Sequence, residues 1–156
     1  MGIGLTEEHR ALAASVHGLA GRAPDHAALA GQGILGLHLP EKCGGQGFGL
    51  LELCVALEAL GERRVPGAYL PTVLTSAVLA WPGDSTGLPD DRKRLIAGLA
   101  GGSATAAVVL AGDPDDALAL GAPEADLFLV PVDGGGWAVL DRADVAAEPA
   151  GGVDLD

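Results

Sequence analysis

A chain of 156 residues has room for one ordinary domain, or one and a part, with a sizeable buried core. Its 49% apolar content excludes a disordered tail, and no apolar run approaches the about 18 uninterrupted residues of a membrane helix. A formal net charge of −12 with only 3% aromatic residues removes both the attraction and the stacking surfaces that nucleic acids require, and the same sign disfavours anionic membranes.

Thr6 can cap a first helix whose opening turn holds Glu7 and Glu8 at the positive end of the dipole. Leu12, Val16 and Leu19 repeat at helical spacing and form its buried stripe, with Arg10, His17 and Arg22 expected outward. Pro24 stops this helix, and Asp25 can cap a shorter second one that dissolves as glycines accumulate over 31–37. From Leu50 to Leu60 only Glu52 and Glu58 interrupt the apolar set, so that helix is expected to sit centrally with neighbours on most sides. Pro71 suits the first position of the next helix, which Pro82 closes, and Pro89 can start another that runs through Leu95, Ile96 and Leu99 to Gly101 and Gly102. Past Gly102 the period changes to alternation: strands are predicted over 105–111, 126–132 and 137–140, with Asp133 to Gly136 as a hairpin loop. Helices first and antiparallel strands second give an α+β order, with residues 1–102 as a helical domain and 103–156 as a partial, mainly antiparallel β domain. The start of the chain shows neither a basic segment nor an apolar run of a signal peptide, which points to the cytoplasm.

Each group that could carry chemistry has a plainer reading. Gly44, Gly45, Gly47 and Gly49 suggest a nucleotide loop, but counting from Gly45 the sixth position is Leu50, and counting from Gly44 the third is Gln46. A structural turn fits better. His9, His17, His26 and His38 contain no ligand pair and read as isolated surface residues. Asp113, Asp115 and Asp116 lack the glycine and terminal glutamate of a calcium loop, and Pro114 intrudes. Ser15, Ser76, Ser85 and Ser103 show no nucleophile elbow. Glu58 and Glu62 read as surface partners of Arg63 and Arg64. Cys43 and Cys54 form no CxxC and read as buried or half-buried free thiols, Cys54 on the apolar face of its helix. No catalytic, cofactor-binding or metal-ligating residue is therefore assigned.

Three stretches carry a resemblance: LTEEHRAL at 5–12, GILGLHLPEKCGGQGFGLLELCVALEALGERRVPGAYLPTVL at 33–74, and LIAGLAGGSATAAVVL at 95–110. Together they resemble the opening helices of acyl-CoA dehydrogenases, their Pro-Glu-x-x-Gly-Gly-x-Gly turn at Pro40, Glu41, Gly44, Gly45 and Gly47, and the entry to their β domain. Cys43 stands where that family usually has an aromatic residue, and the tail from Ala122 is similar to later strands of that domain. The resemblance implies FAD-dependent removal of two hydrogens from an acyl-CoA thioester, a glutamate taking the α proton and the flavin the β hydride. Between Leu110 and Gly121 the chain reads AGDPDDALAL, where family members carry the residues that contact the flavin. With the sequence ending at Asp156, the C-terminal helical domain with its glutamate is also expected to be missing. The expectation is a subunit or fragment that supports dehydrogenation beside a complete homologous subunit, with FAD held by that partner or by a missing domain. In this family, assemblies of flavin-bearing and flavin-less subunits serve bulky substrates such as steroid side chains. The alternative is a non-enzymatic acyl-CoA or protein binding module that keeps the helical scaffold.

Overall fold

The computed structural model describes residues 4–81, 88–111 and 117–150. Five helices come first: α1 (Glu7–Ala20), α2 (His26–Gly31), α3 (Leu50–Glu62), α4 (Tyr69–Ala80) and α5 (Asp90–Ala100). Short 3-10 turns at Ile34–Gly36 and Glu41–Cys43 join α2 to α3. Four strands follow, β1 (Ala106–Ala111), β2 (Leu118–Leu120), β3 (Leu127–Pro131) and β4 (Trp137–Asp141), before a 3-10 turn at Arg142–Asp144. None of the described helices is long and apolar enough to cross a membrane.

The expected caps form. Thr6 Oγ accepts from the His9 amide, and Asp25 accepts from the Ala28 amide at 2.8 Å. His9 completes the α1 cap from the other side, its Nδ1 accepting from the Thr6 amide at 3.0 Å, a role more often taken by Glu or Gln. Helix α4 begins two residues before Pro71, which becomes its third residue. Proline is tolerated there because the amides of the first turn have no intrahelical partner. Pro82 lies outside the described residues.

Helix α3 departs from its expected all-round burial. Leu53, Val55, Ala56, Ala59 and Leu60 are buried, while Leu50 and Cys54, one turn apart, are exposed. Helix α1 covers one flank of α3 and runs in the same direction, since His9 pairs with Glu52 and His17 with Glu62. The row through Leu50 and Cys54 is left exposed among the described residues, so an apolar composition did not bring burial with it.

The sheet order is β2-β1-β3-β4, with β2 and β4 antiparallel to their neighbours and β1 parallel to β3. The β domain is thus mainly antiparallel, as expected, with one parallel pair that makes the sheet mixed. Strand β2, three residues long, is the reason. It returns the chain to the beginning of β1, so β3, laid on the other side of β1, must run the same way as β1. Asp126 locks this junction by accepting from the Thr105 amide at 2.7 Å and its hydroxyl at 2.9 Å.

The core has three parts. Val16, Leu19, Leu29, Leu35, Leu53, Leu60 and Val73 join α1 to α4. Leu39, Cys43, Leu79, Ile96 and Leu99 meet Ala106 and Leu127 between helices and sheet. Ala107, Ala125 and Phe128 fill the sheet's other face. Strand β3 is buried on both faces, which is why its alternating positions are all apolar.

Candidate functional site

The glycine-crowded turn shapes a broad groove. Gly44 and Gly47 adopt φ of +81° and +75°, in the left-handed region that favours glycine. Gly45 lies so close to Leu39 that a Cβ would sit 2.0 Å from the Leu39 carbonyl oxygen. Its amides are all engaged: Gly44 donates to Glu41, Gly45 to Pro40, Gln46 to Gly36, Gly47 to Leu39 and Phe48 to Leu37. The Gly49 amide donates to Glu52 Oε2 at 2.9 Å. A phosphate cradle needs such donors free, so the turn is structural, as its failed nucleotide spacing suggested.

By folding back on Leu37 and Leu39, the turn presents Phe48 and Leu50 to solvent beside the end of α4 and the start of β4. The resulting groove has a volume of ≈ 1170 Å³. Phe48, Leu50, Trp81 and Trp137 line it, with exposures of 57%, 56%, 72% and 48%. Glu41, Lys42 and Arg92 supply charge of both signs along it.

His38 also lines the groove, half-buried. Burial disfavours its charged form and pushes its pKa down to about 4, leaving the ring neutral at pH 7. Nε2 lies 3.3 Å from Ser76 Oγ, and the Ser76 hydroxyl donates to the Val73 carbonyl at 3.0 Å. With the hydroxyl proton committed to Val73, the Ser76 oxygen accepts from Nε2–H, the opposite of what an activated serine requires. Nδ1 is then a buried acceptor with no partner among the described residues.

The remaining residues singled out from the sequence fall as follows. The histidines are not isolated surface groups. His9 is buried, with Nε2 3.1 Å from Glu52 Oε1, and His17 pairs with Glu62 at 3.0 Å rather than facing outward. His26 is half-buried, and neither ring nitrogen has a partner among the described residues. Lone histidines give no periodic signal, so the sequence held no cue to these contacts. A hydrogen bond from Glu52's own backbone amide, then the His9 contact and the Gly49 amide, hold the Glu52 carboxyl below the usual carboxylate range. Glu62 meets His17 across the α1–α3 seam instead of Arg63 or Arg64, while Glu58 is exposed. Cys43 is buried, but Cys54 is exposed, correcting the expected burial. Asp113, Asp115, Asp116 and Ser85 lie outside the described residues. Among the described residues no group of three or more His, Cys, Asp or Glu could hold a metal ion.

A flavin presents ring carbonyls and nitrogens that call for hydrogen-bond donors. In the described part of the 110–121 segment, Leu110 and Leu118 are exposed on β1 and β2, and no side chain there carries a donor.

Comparison with known proteins agrees with this architecture. Residues 20–103, from the end of α1 through α5, match the family described as acyl-CoA dehydrogenase, N-terminal domain. Acyl-CoA dehydrogenase FadE34 of Mycobacterium tuberculosis is 31% identical over 145 residues, covering 85% of this chain and 19% of FadE34. A variant of the Tcur3481–Tcur3483 steroid ACAD is 25% identical, covering 86% of this chain and 48% of its own, with a TM-score of 0.65. The ChsE4–ChsE5 complex from Mycobacterium tuberculosis has a TM-score of 0.70 at 24% identity, covering 90% and 49%. The chain therefore spans about a fifth of FadE34 and about half of each of these solved chains. With α2 to α5 and the glycine turn inside the family match, and FadE34 31% identical over 85% of the chain, the chain belongs to the acyl-CoA dehydrogenase family.

Proposed function

We propose that this chain is the helical and partial β portion of an acyl-CoA dehydrogenase, working beside a complete homologous subunit in α,β-dehydrogenation of an acyl-CoA thioester. The observation that carries this reading is a contrast within one chain. The family match spans the helical layer, whereas the described surface over 110–121 offers leucines and no side-chain donor to a flavin. FAD, which supplies hydride acceptance in this family, belongs on this reading to the partner or to chain outside these residues. What the chain itself contributes is a scaffold and the groove beside α4. The Tcur3481–Tcur3483 relative, named as a pair and as a steroid ACAD, supports a two-subunit assembly and a bulky acyl group. The division into residues 1–102 and 103–156 belongs to the same proposal, as does a cytoplasmic location, where free thiols such as Cys43 and Cys54 persist.

Co-expression with a complete acyl-CoA dehydrogenase from the same source tests the proposal. The two chains should co-purify, the yellow flavin should follow the partner, and acyl-CoA-dependent dye reduction should drop when this chain is omitted. Equal activity without it overturns the reading.

The groove favours a second reading, a binding module without catalysis. Its apolar walls and its two cations, Lys42 and Arg92, are the chemistry of an acyl-CoA site. Calorimetry with a series of acyl-CoA thioesters separates the two: heat from this chain by itself, with no effect on any dehydrogenase, favours the module.

A further inference from the structure

One run of hydrogen bonds joins the starts of α1 and α3. The Thr6 amide donates to His9 Nδ1 at 3.0 Å. An imidazole that accepts at Nδ1 carries its proton on Nε2, so Nε2–H donates to Glu52 Oε1 at 3.1 Å. The other carboxylate oxygen, Oε2, accepts from the Gly49 amide at 2.9 Å. Donor meets acceptor at every step from Thr6 to Gly49.

The two helix starts depend on this run to different degrees. Helix α1 also has the Thr6 hydroxyl, which accepts from the His9 amide. Helix α3 has no counterpart, because Gly49 brings no side chain to its own cap and Glu52 takes over that role. What orients Glu52 is His9, a buried side chain of the other helix. Gly49 stands between Phe48 and Leu50, the exposed pair that rims the groove. Helix starts are also where local opening is easiest, since their first amides lack intrahelical partners.

We propose that His9 and Glu52 form a latch that couples the start of α1 to the Phe48–Leu50 rim of the groove. Closed, His9 orients Glu52, Glu52 holds the Gly49 amide, and the backbone between Phe48 and Leu50 is fixed. Open, the Thr6 and Gly49 amides lose their side-chain partners together. Capture or fraying of the α1 start is thereby transmitted to the groove, and contact at the rim acts back on α1 by the same factor. His9 is the positioning residue of this device, which is independent of the dehydrogenase reading.

Amide exchange followed by NMR tests the coupling. His9→Glu keeps the α1 cap, since glutamate at this position completes a capping box with Thr6, but it sets a carboxylate against Glu52. Exchange at Gly49 and Leu50 should rise about twofold to tenfold, the worth of one net hydrogen bond. Glu52→Ala should in turn speed exchange at Thr6. In the double variant His9→Glu with Glu52→Gln, donor and acceptor across the seam change places, and the rim should slow again towards the parent rate. Glu62→Ala cuts the other contact between these helices, at His17, and should leave the rim unmoved. Circular dichroism identical to that of the parent chain verifies folding in each case. A rim unchanged by His9→Glu overturns the proposal, as does a double variant no slower than the single one. A rim that Glu62→Ala loosens equally overturns it too, since the effect would then belong to the whole seam. The parent chain supplies a test of its own: as urea is raised, Thr6 and Gly49 should share one opening equilibrium, and distinct openings overturn the latch whatever the variants do.

Discussion

Gly45 has no space for a methyl group, because the nearest atom to its missing Cβ is a backbone carbonyl that cannot swing aside. Gly45→Ala should therefore sit at or above the upper end of overpacking costs, about 3 kcal/mol, and lower the urea midpoint accordingly. His38 sets a pH dependence of its own. Its folded pKa of about 4 lies below the ordinary 6.5, so between those values the unfolded chain binds the extra proton. The stabilisation is fully present above pH 6.5 and is lost as pH falls towards about 4, with a slope of up to ~1.4 kcal/mol per pH unit. Unfolding in urea across this range should show that slope for the parent chain and a flatter profile for His38→Gln. Glu52, whose carboxyl is held low, contributes its loss at still lower pH. Composition pointed to the glycine turn but not to His38, since no pattern reports a lone histidine brought beside Ser76.

At the scale of the element, the end of α3 carries an avoidable strain. The Arg64 amide bonds Gly61 and the Val65 amide bonds Leu60, closing the helix around Arg64 at a φ of +50°. Glycine normally occupies that left-handed position, and Val65 and Leu60 are both buried as the motif requires. The conformation costs a non-glycine residue about 1–2 kcal/mol, part of which glycine returns through the entropy of the unfolded chain. Arg64→Gly should stabilise by about 0.5–1 kcal/mol, read as a raised melting temperature. Helix α4 links the layers: Thr72, buried within it, accepts from the Ala106 amide at 3.2 Å and satisfies the start of β1. The helices were legible because caps and apolar repeats are local. Strand β2 was not, because three residues are too few to display a period.

For the whole molecule, the joining element is the cluster that Leu99 shares with Ala106 and Leu127. Leu99→Ala should cost about 2–5 kcal/mol and speed amide exchange in β1 and β3 together with α5. Loss confined to α5 would mean that the helical layer and the sheet unfold separately. The sequence by itself determined the helix order, the caps, the glycine turn and the change of period near Gly102, because each depends on residues within a few positions of one another. The family was legible for the same reason, its turn being a contiguous string. Only the tertiary structure decided which face of α3 is covered, that β1 and β3 run parallel, where His9 and His17 find Glu52 and Glu62, and that Phe48, Trp81 and Trp137 share one groove. Those outcomes depend on which distant surfaces meet, and a periodic pattern identifies an apolar face without specifying what covers it.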